Sequence, residues 1–380
     1  MKKKSGRANN GMGSIRQRPD GRWEARYSTP DGKQKSVYGK TEKEVTGKLK
    51  KVLHDLDTGA WREPSKLTVS EWLDLWLKDY QTGTSERTVY KYRCIAEKHY
   101  KPVLGDLRLV KVTPYHIQHF VATLQTSLAA TTVNHYTAVL ETAFQRAVDQ
   151  KLIPENPVSV RLKSESPKPF RIIDRQDIPR FIEAANQTRY ANELKTLLYT
   201  GMRVGELRGL QWPDIDFNAG TLYVQRQLQP KRQGMKRVTT PKYNEKRKFH
   251  IPTVALNVLR EQKKLQAEQR LKAGDKWHED ATTKDLVFRQ PNGKPHGEHT
   301  IYFAVRKVGL ALDIPDLSPH DLRHSYAIAA LRSGADVKTV QHNLGHKTTT
   351  MTLEVYAAYT NDAGQQSAAK LSAYLDNAQQ

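Results

Sequence analysis

The sequence predicts a multidomain protein made of three blocks with different folds. Residues 11–38 alternate apolar and polar positions around two Pro-Asp-Gly turns, which is typical of a small three-stranded β-sheet. Residues 67–157 show only helical spacing and predict an all-helical domain. Beyond residue 173 both patterns occur, so the third block is expected to be mixed α+β and mainly helical. A chain of 380 residues is long enough for such an arrangement.

The predicted domains are residues 1–66, 67–160 and 174–380, the last ending in a C-terminal tail. Residues 159–172, SVRLKSESPKPFRI, are rich in Lys, Ser and Pro and lack periodicity. We therefore place a linker at residues 161–173.

Charge is the most informative feature of the composition. The chain has 62 Lys+Arg and 40 Asp+Glu, a formal net charge of +22. The excess is clustered, with 17 Lys+Arg and 8 Asp+Glu in residues 1–66, and nine Lys+Arg with one acid in residues 226–248. Such clusters favour a polyanion partner. No apolar run is long enough to span a membrane, so no membrane partner is expected.

The single cysteine, Cys94, excludes an internal disulfide and argues against a zinc site with several thiolates. The expected compartment is the reducing cytoplasm.

The first block pairs a basic sheet with one helix. The helix is predicted to begin at the capping residue Thr41, with Glu44 closing a capping box, and to stop at Gly59. A sheet of this size is too small to enclose a substrate but suits a DNA groove. A protein-interaction module is the alternative.

The second block is predicted to contain four helices. Thr68 and Glu71 form a second capping box before a helix that carries Trp72, Leu75, Trp76 and Leu77, and the tryptophans are expected in the core. Thr113-Pro114 supplies a cap and a first-turn proline for another helix. The four helices are compatible with a clamp around a duplex or with a plain bundle.

The third block carries the chemically informative motifs. Helices are predicted at 175–186, 191–212 and 253–271, and strands at TLYVQRQL, KRKFHIP and LVFRQ. In TGMRVGELRGLQW, Gly201 and Gly205 flank Arg203, which allows a close approach of its guanidinium to a ligand. The alternative is that Arg203 only pairs with the nearby Glu206.

The segment SPHDLRHS places His320, Arg323 and His324 on one helical face. This face is either solvated or the binding site of an anion, and Arg323 is suited to bind two phosphate oxygens. LGH at 344–346 and Tyr356 follow. The histidine pairs spaced four apart have the spacing of zinc ligands, but Gly345 interrupts one pair and no HExxH glutamate is present. No metal and no cofactor is expected.

These elements, in this order, resemble the tyrosine recombinase (phage integrase) family. They are TGMRVGEL, TPK in a basic hairpin, HDLRHS, LGH and a tyrosine. The three-part layout is similar to lambda-type integrases and integrases of conjugative transposons. The resemblance implies that residues 1–66 bind arm-type DNA sites, that the helical block binds core-type sites, and that residues 174–380 form the catalytic domain.

The resemblance also implies roles for single residues. Arg203 matches the arginine that binds the scissile phosphate, and His320 with Arg323 matches the HxxR pair. His346 matches the second histidine. Two arginines and a histidine would neutralise the charge that builds on the phosphorane oxygens.

Lys242 matches the hairpin lysine that protonates the leaving 5′ oxygen, and Tyr356 matches the nucleophile. A phenol has a pKa of about 10 and needs activation to attack at neutral pH. The run YAAYT departs from the family, which often has a histidine shortly after the nucleophile, so Tyr359 competes for the role. The spacing from His346 favours Tyr356.

The reaction implied by the resemblance is integration and excision of a phage or mobile element through a 3′-phosphotyrosine and Holliday-junction strand exchange. The implied partners are double-stranded DNA with core-type and arm-type attachment sites, a homo-tetramer in the synaptic complex, and a host DNA-bending protein and an excisionase, in the cytoplasm of a bacterial host. The alternatives are a type IB-like DNA-relaxing topoisomerase and a non-catalytic sequence-specific DNA-binding protein.

Overall fold

A computed structural model of the chain describes residues 13–58, 65–163, 171–229, 238–241, 246–346 and 348. The chain divides into two compact units, Met1–Glu165 and Ser166–Gln380. The finer boundaries predicted at residues 66, 160 and 173 stay predictions. Across the described segments, no helix combines the length and the apolar character needed to cross a bilayer.

The first unit begins with the predicted meander. Its strands are Ser14–Gln17 (β1), Trp23–Ser28 (β2) and Gln34–Gly39 (β3), paired antiparallel in the order β1-β2-β3. The Pro-Asp-Gly turns work through their glycines, since Gly21 and Gly32 adopt φ of 81° and 78°, which disfavour a side chain. Helix Glu42–Asp57 (α1) packs Val45 and Leu49 against the apolar face of the sheet.

The cap of α1 differs in detail from the prediction. The Thr41 hydroxyl accepts a hydrogen bond from the Glu44 amide at 3.2 Å, as expected. The Glu44 carboxylate, however, accepts from the Lys40 amide at 2.8 Å. The helix ends at Asp57 with Thr58 as its C-cap, and Gly59 lies outside the described residues.

The rest of the first unit is helical, as predicted. The helices are Val69–Asp79 (α2), Glu86–Ile95 (α3), Lys101–Leu104 (α4), Pro114–Gln125 (α5) and Ala130–Asp149 (α6). A π-helical turn, Ala96–Tyr100, joins α3 to α4, and a short 3₁₀ helix spans Leu109–Lys111. The capping box of Thr68 and Glu71 and the first-turn Pro114 are present as predicted.

The core of this helical part is built on α2. Trp72 and Trp76 are fully buried, which confirms their assignment to the core. The indole Nε1 of Trp72 donates a hydrogen bond to the Ala143 carbonyl of α6 at 3.0 Å, so its one polar atom is satisfied. Leu75 was grouped with the tryptophans, but its side chain is 38% exposed because it lies on the opposite side of the helix.

The second unit combines seven helices and five short strands among the described residues. The helices are Ile178–Asn186 (α7), Ala191–Thr200 (α8), Val204–Gly209 (α9), Thr253–Ala273 (α10), Thr300–Ala311 (α11), Pro319–Arg332 (α12) and Val337–Leu344 (α13). Three 3₁₀ turns lie at Arg175–Asp177, Trp212–Asp214 and Gly274–Lys276. The strands are Ile215–Asp216 (β4), Thr221–Val224 (β5), Gln227–Leu228 (β6), Val238–Thr239 (β7) and Arg247–His250 (β8).

Antiparallel pairing organises these strands into a sheet β4-β5-β8 and a two-stranded hairpin β6-β7. The hydrophobic core lies between the three-stranded sheet and helices α7, α8, α10 and α11.

Two predictions for this unit are wrong. The helix expected at 191–212 is interrupted after Thr200, because Gly201 turns the backbone into the left-handed region. LVFRQ forms no strand: within the described residues Leu286 makes an isolated bridge with Gln211, and Arg289 one with Pro295.

Replacing Trp72 with alanine is expected to lower the free energy of unfolding by about 3–5 kcal/mol, because it leaves a cavity in the core and removes the hydrogen bond that joins α2 to α6. Leu75→Ala on the same helix is the control and should change stability by about 0.5 kcal/mol or less. Urea unfolding of the full chain, followed by circular dichroism, measures both. Equal losses in the two variants would contradict the packing described for α2.

Candidate active site

A sharp backbone turn between α8 and α9 places Arg203. Gly201 ends α8 with φ of 62°, and a Cβ at this position would lie 2.5 Å from Cδ1 of Tyr326. Only glycine satisfies both the conformation and the close approach. The chain then extends at Arg203, which is the N-cap residue of α9. The turn therefore presents the Arg203 side chain at the start of a new helix instead of in the middle of one.

The carboxylate of Glu206 orients this arginine. Glu206 is completely buried and accepts hydrogen bonds from the Arg203 amide at 3.0 Å and from Arg203 Nη1 at 2.9 Å. It also accepts from Nη1 and Nη2 of Arg247 at 3.0 and 2.8 Å. Burial raises the pKa of Glu206, but the bonds to Arg247 and the charges of Arg203 and Arg323 outweigh it and hold the pKa at about 2. The group is therefore an anion at neutral pH.

Arg323 lies on α12 and is only 2% exposed. Its Nη1 donates to the Gly201 carbonyl at 2.8 Å and its Nη2 to the Leu344 carbonyl at 2.5 Å. Its Nε is buried and has no hydrogen-bond partner among the described residues. Burial and the neighbouring Arg203 lower the pKa of Arg323 to about 9, so it remains charged at neutral pH.

The C-terminal end of α13 brings the three arginines together. Arg247 Nε donates to the Asn343 carbonyl at 2.7 Å, and Arg203 Nη2 donates to the Gly345 carbonyl at 2.8 Å. With the bond from Arg323 to Leu344, three consecutive carbonyls each accept one arginine. The last carbonyls of a helix have no partner within the helix and carry partial negative charge, which favours cations.

The histidines of the site differ in exposure. His320 on α12 is exposed, and its ring lies 4.4 Å from that of the buried His324. Burial and the nearby His320 lower the pKa of His324 to about 4. His346 follows the left-handed Gly345 and is buried, and burial together with Arg323 and Arg203 lowers its pKa to about 3. Both buried rings are neutral at physiological pH.

The structure thus brings Arg203, Arg323 and His346 to one place, with His320 on the same helix as Arg323. Lys242, Tyr356 and the competing Tyr359 lie outside the described residues. The contact between Arg203 and Glu206, which the sequence raised only as an alternative, is present together with the arginine cluster.

The sequence analysis missed Arg247. KRKFHIP is predicted as a strand, but Arg247 is counted there only among the basic residues of 226–248. In β8, Lys248 and His250 are exposed whereas Arg247 and Phe249 are buried, and Lys246 just before the strand is exposed. The two-residue period of a strand was the signal that identifies Arg247 as inward-facing.

Comparison with known proteins places this arrangement in a family. The model of the phage integrase family matches residues 171–362. The model of the phage integrase N-terminal SAM-like domain matches residues 68–125. An integrase from Streptomyces ambofaciens is 27% identical over 338 residues, which are 86% of each chain. A tyrosine recombinase XerC-like protein of Caldanaerobacter subterraneus is 27% identical and covers 85% of this chain and 87% of its own.

Solved structures share the fold. The Tn1549 transposon integrase superposes with a TM-score of 0.68 at 19% identity, covering 80% of this chain and 99% of that one. Lambda integrase bound to a core site gives a TM-score of 0.58 at 19% identity, covering 92% and 95%. The chain belongs to the phage integrase family. It is an enzyme, a tyrosine-type site-specific DNA recombinase.

The neutral histidines make stability depend on pH. Folded His324 binds a proton only near pH 4, whereas the unfolded chain binds it near 6.5. Between these values the unfolded state holds more protons, so stability should fall as the pH drops from about 6.5 towards 4. His324→Gln should reduce this slope by up to about 1.4 kcal/mol per pH unit. Urea unfolding at several pH values measures the slope, and an unchanged slope in the variant would show that His324 is not held neutral.

Proposed function

We propose that the chain integrates and excises a phage or other mobile element, with this arginine cluster as the binding site of the scissile phosphate. The tyrosine attacks the phosphorus, and the 5′ oxygen leaves with a proton, so that a 3′-phosphotyrosine links the enzyme to DNA. Rejoining reverses the step, because the phosphotyrosine keeps the energy of the phosphodiester. The proposed catalytic residues are Arg203, Lys242, His320, Arg323, His346 and Tyr356.

One observation carries the assignment of the phosphate site: three buried or half-buried arginines meet with a single carboxylate. Arg203, Arg247 and Arg323 contribute +3 and Glu206 contributes −1, so this group retains a charge of +2. A buried cationic group of this kind is costly unless an anion completes it. A phosphodiester supplies that anion. The arginines stabilise the transition state more than the bound substrate, because negative charge grows on the phosphate oxygens during attack.

His346 complements the arginines without adding charge, because its ring is neutral. A neutral imidazole carries one N–H donor and one acceptor. His346, next to Arg203 and Arg323, is therefore suited to form a hydrogen bond with a phosphate oxygen. His320 is exposed on α12 and is suited to contact the same phosphate from that helix.

Lys242 lies in the sequence between β7 and β8, three residues after Thr239. Its assignment as the acid for the leaving 5′ oxygen, and that of Tyr356 as the nucleophile, rest on the family resemblance and on sequence order.

DNA binding by the first unit is supported by the open face of its sheet. Glu24 accepts from Arg16 Nε at 2.7 Å and from Arg26 Nε at 3.3 Å, and both arginine side chains are partly exposed. The Ser36 hydroxyl, followed by Arg16, lowers the pKa of Glu24 to about 2. One carboxylate thus holds two guanidinium groups in position on a surface that fits a DNA groove.

The proposed partner is double-stranded DNA, with arm-type sites bound by residues 1–66 and core-type sites by the helical part and the second unit. The solved relatives include a lambda integrase tetramer bound to a Holliday junction, with a TM-score of 0.58. We propose a homo-tetramer for this chain during synapsis as well, assisted by a host DNA-bending protein and an excisionase in the bacterial cytoplasm. Family membership favours recombination over a relaxing topoisomerase or a non-catalytic DNA-binding protein.

Tyr356→Phe should abolish the covalent complex with a nicked suicide substrate and leave DNA affinity unchanged, because only the attacking oxygen is removed. Tyr359→Phe is the matched control and should still form the complex. Denaturing gels and a binding titration measure the two quantities. The assignment is wrong if Tyr356→Phe forms the complex and Tyr359→Phe does not.

Arg16→Ala combined with Arg26→Ala should weaken binding to arm-type DNA and lower the slope of log affinity against log salt by about 2. Lys50→Ala with Lys51→Ala is the control, since these exposed lysines lie on α1, which covers the other face of the sheet. Fluorescence anisotropy between low and moderate salt measures both slopes. Equal changes in the two double variants would show that this face of the sheet does not contact DNA.

A further inference from the structure

Arg247 is an arginine of the cluster to which the family comparison assigns no role. Its guanidinium uses all three nitrogens inside the protein: Nη1 and Nη2 on Glu206, and Nε on the Asn343 carbonyl. It is 3% exposed, whereas Lys246 and Lys248 on either side are exposed. Unlike Arg323, whose Nε has no partner among the described residues, Arg247 has a protein partner at every nitrogen, so we do not expect it to contact DNA as its exposed neighbours can.

Both acceptors that orient the Arg203 side chain lie against Arg247. One is Glu206, which Arg247 grips with two parallel bonds, a geometry that fixes the plane of the carboxylate. The other is the Gly345 carbonyl, whose residue packs so closely that a Cβ on Gly345 would lie 3.0 Å from Arg247 Nη1. Movement of Arg247 would therefore displace both acceptors of Arg203 together.

The charges of these residues also indicate that Arg247 affects Arg203. With Arg247 present, Glu206 is neutralised by two cations and Arg203 is not its only partner. Without Arg247, Arg203 becomes the sole ion-pair partner of a buried carboxylate, and a buried pair of that kind attracts strongly. Glu206, which Arg203 already contacts, would then hold Arg203 more strongly, and Arg203 would have less charge available for a phosphate.

We propose that Arg247 is a positioning residue for DNA cleavage, which acts by holding Glu206 and the end of α13 so that Arg203 points at the scissile phosphate. This inference rests on the proposed role of Arg203 as a phosphate ligand. Arg247 lies on β8, five residues after Lys242. The Arg247 side chain therefore also fixes the strand that follows the proposed acid to the arginine cluster.

The test is single-turnover cleavage of a suicide substrate by the full chain at saturating DNA. Arg247→Lys keeps the charge. A lysine cannot, however, form the two parallel hydrogen bonds to Glu206 together with the hydrogen bond to the Asn343 carbonyl. Cleavage should slow by on the order of 10²-fold, because a small displacement of a positioning group has effects of this size, while the dissociation constant for DNA stays unchanged. In an Arg203→Lys background, the same substitution should add about twofold or less, since both act through one group.

Two controls separate positioning from other causes. Arg289→Lys removes a buried arginine that bonds Glu279 and nearby carbonyls elsewhere in the same unit, and it should leave the cleavage rate of folded protein unchanged. Lys248→Gln removes an exposed neighbour on β8 and should affect DNA affinity at most. If Arg247→Lys does not fold, Arg247→Met with Glu206→Gln removes the buried pair together and should show the same slow cleavage.

The outcomes distinguish the two proposals. If Arg203→Lys cleaves at the normal rate, the proposed phosphate site itself is wrong. If Arg203→Lys is slow but Arg247→Lys matches Arg289→Lys, or if the effects of the Arg203 and Arg247 substitutions multiply, the positioning role is overturned and the phosphate site stands.

Discussion

The geometry of the second unit depends on the last turn of α13. Three consecutive carbonyls, at Asn343, Leu344 and Gly345, receive one arginine each from β8, α12 and the start of α9. Helix ends leave such carbonyls without partners, and here arginines replace water as the donors. Three elements distant in the sequence are thereby held against the end of one eight-residue helix.

Glu206 complements this helix end from the other side. A buried carboxylate without partners would be strongly destabilising, but the four hydrogen bonds it accepts satisfy both oxygens. The single acid is also the reason that the arginines tolerate one another at close range. Since the acid offsets only part of their charge, the cluster remains electropositive. Burial, together with this positive charge, keeps His324 and His346 neutral.

The sequence predicted much of this arrangement, because motif order and local turn signals are short-range properties. The fold class, the meander, the capping box at Thr68 and the first-turn Pro114 could all be read from it. Motif order also selected Arg203, Arg323 and His346, which the structure brings together. The family is confirmed, whereas the catalytic roles of single residues stay predictions. Lys242, Tyr356 and Tyr359 lie outside the described residues.

What the sequence did not predict depended on contacts between distant segments. The apolar spacing of 191–212 continues past Gly201, and only the packing of Tyr326 against that glycine shows why the helix must break there. Leu286, Val287 and Phe288 are apolar because they are buried, not because they pair in a sheet. Arg247 was read as one more basic residue, since composition cannot reveal that a charge faces inward onto Glu206.

The sequence separation of the arginine contacts also orders events during synthesis. Arg203 and its acceptor Gly345 are 142 residues apart in the sequence, and Arg323 and its acceptor Gly201 are 122 residues apart. Contacts of such range form late in folding, because their loops must close first. A ribosome-bound chain that has not yet released α13 therefore lacks the assembled arginine cluster, and the proposed phosphate site forms only after α13 has been synthesised.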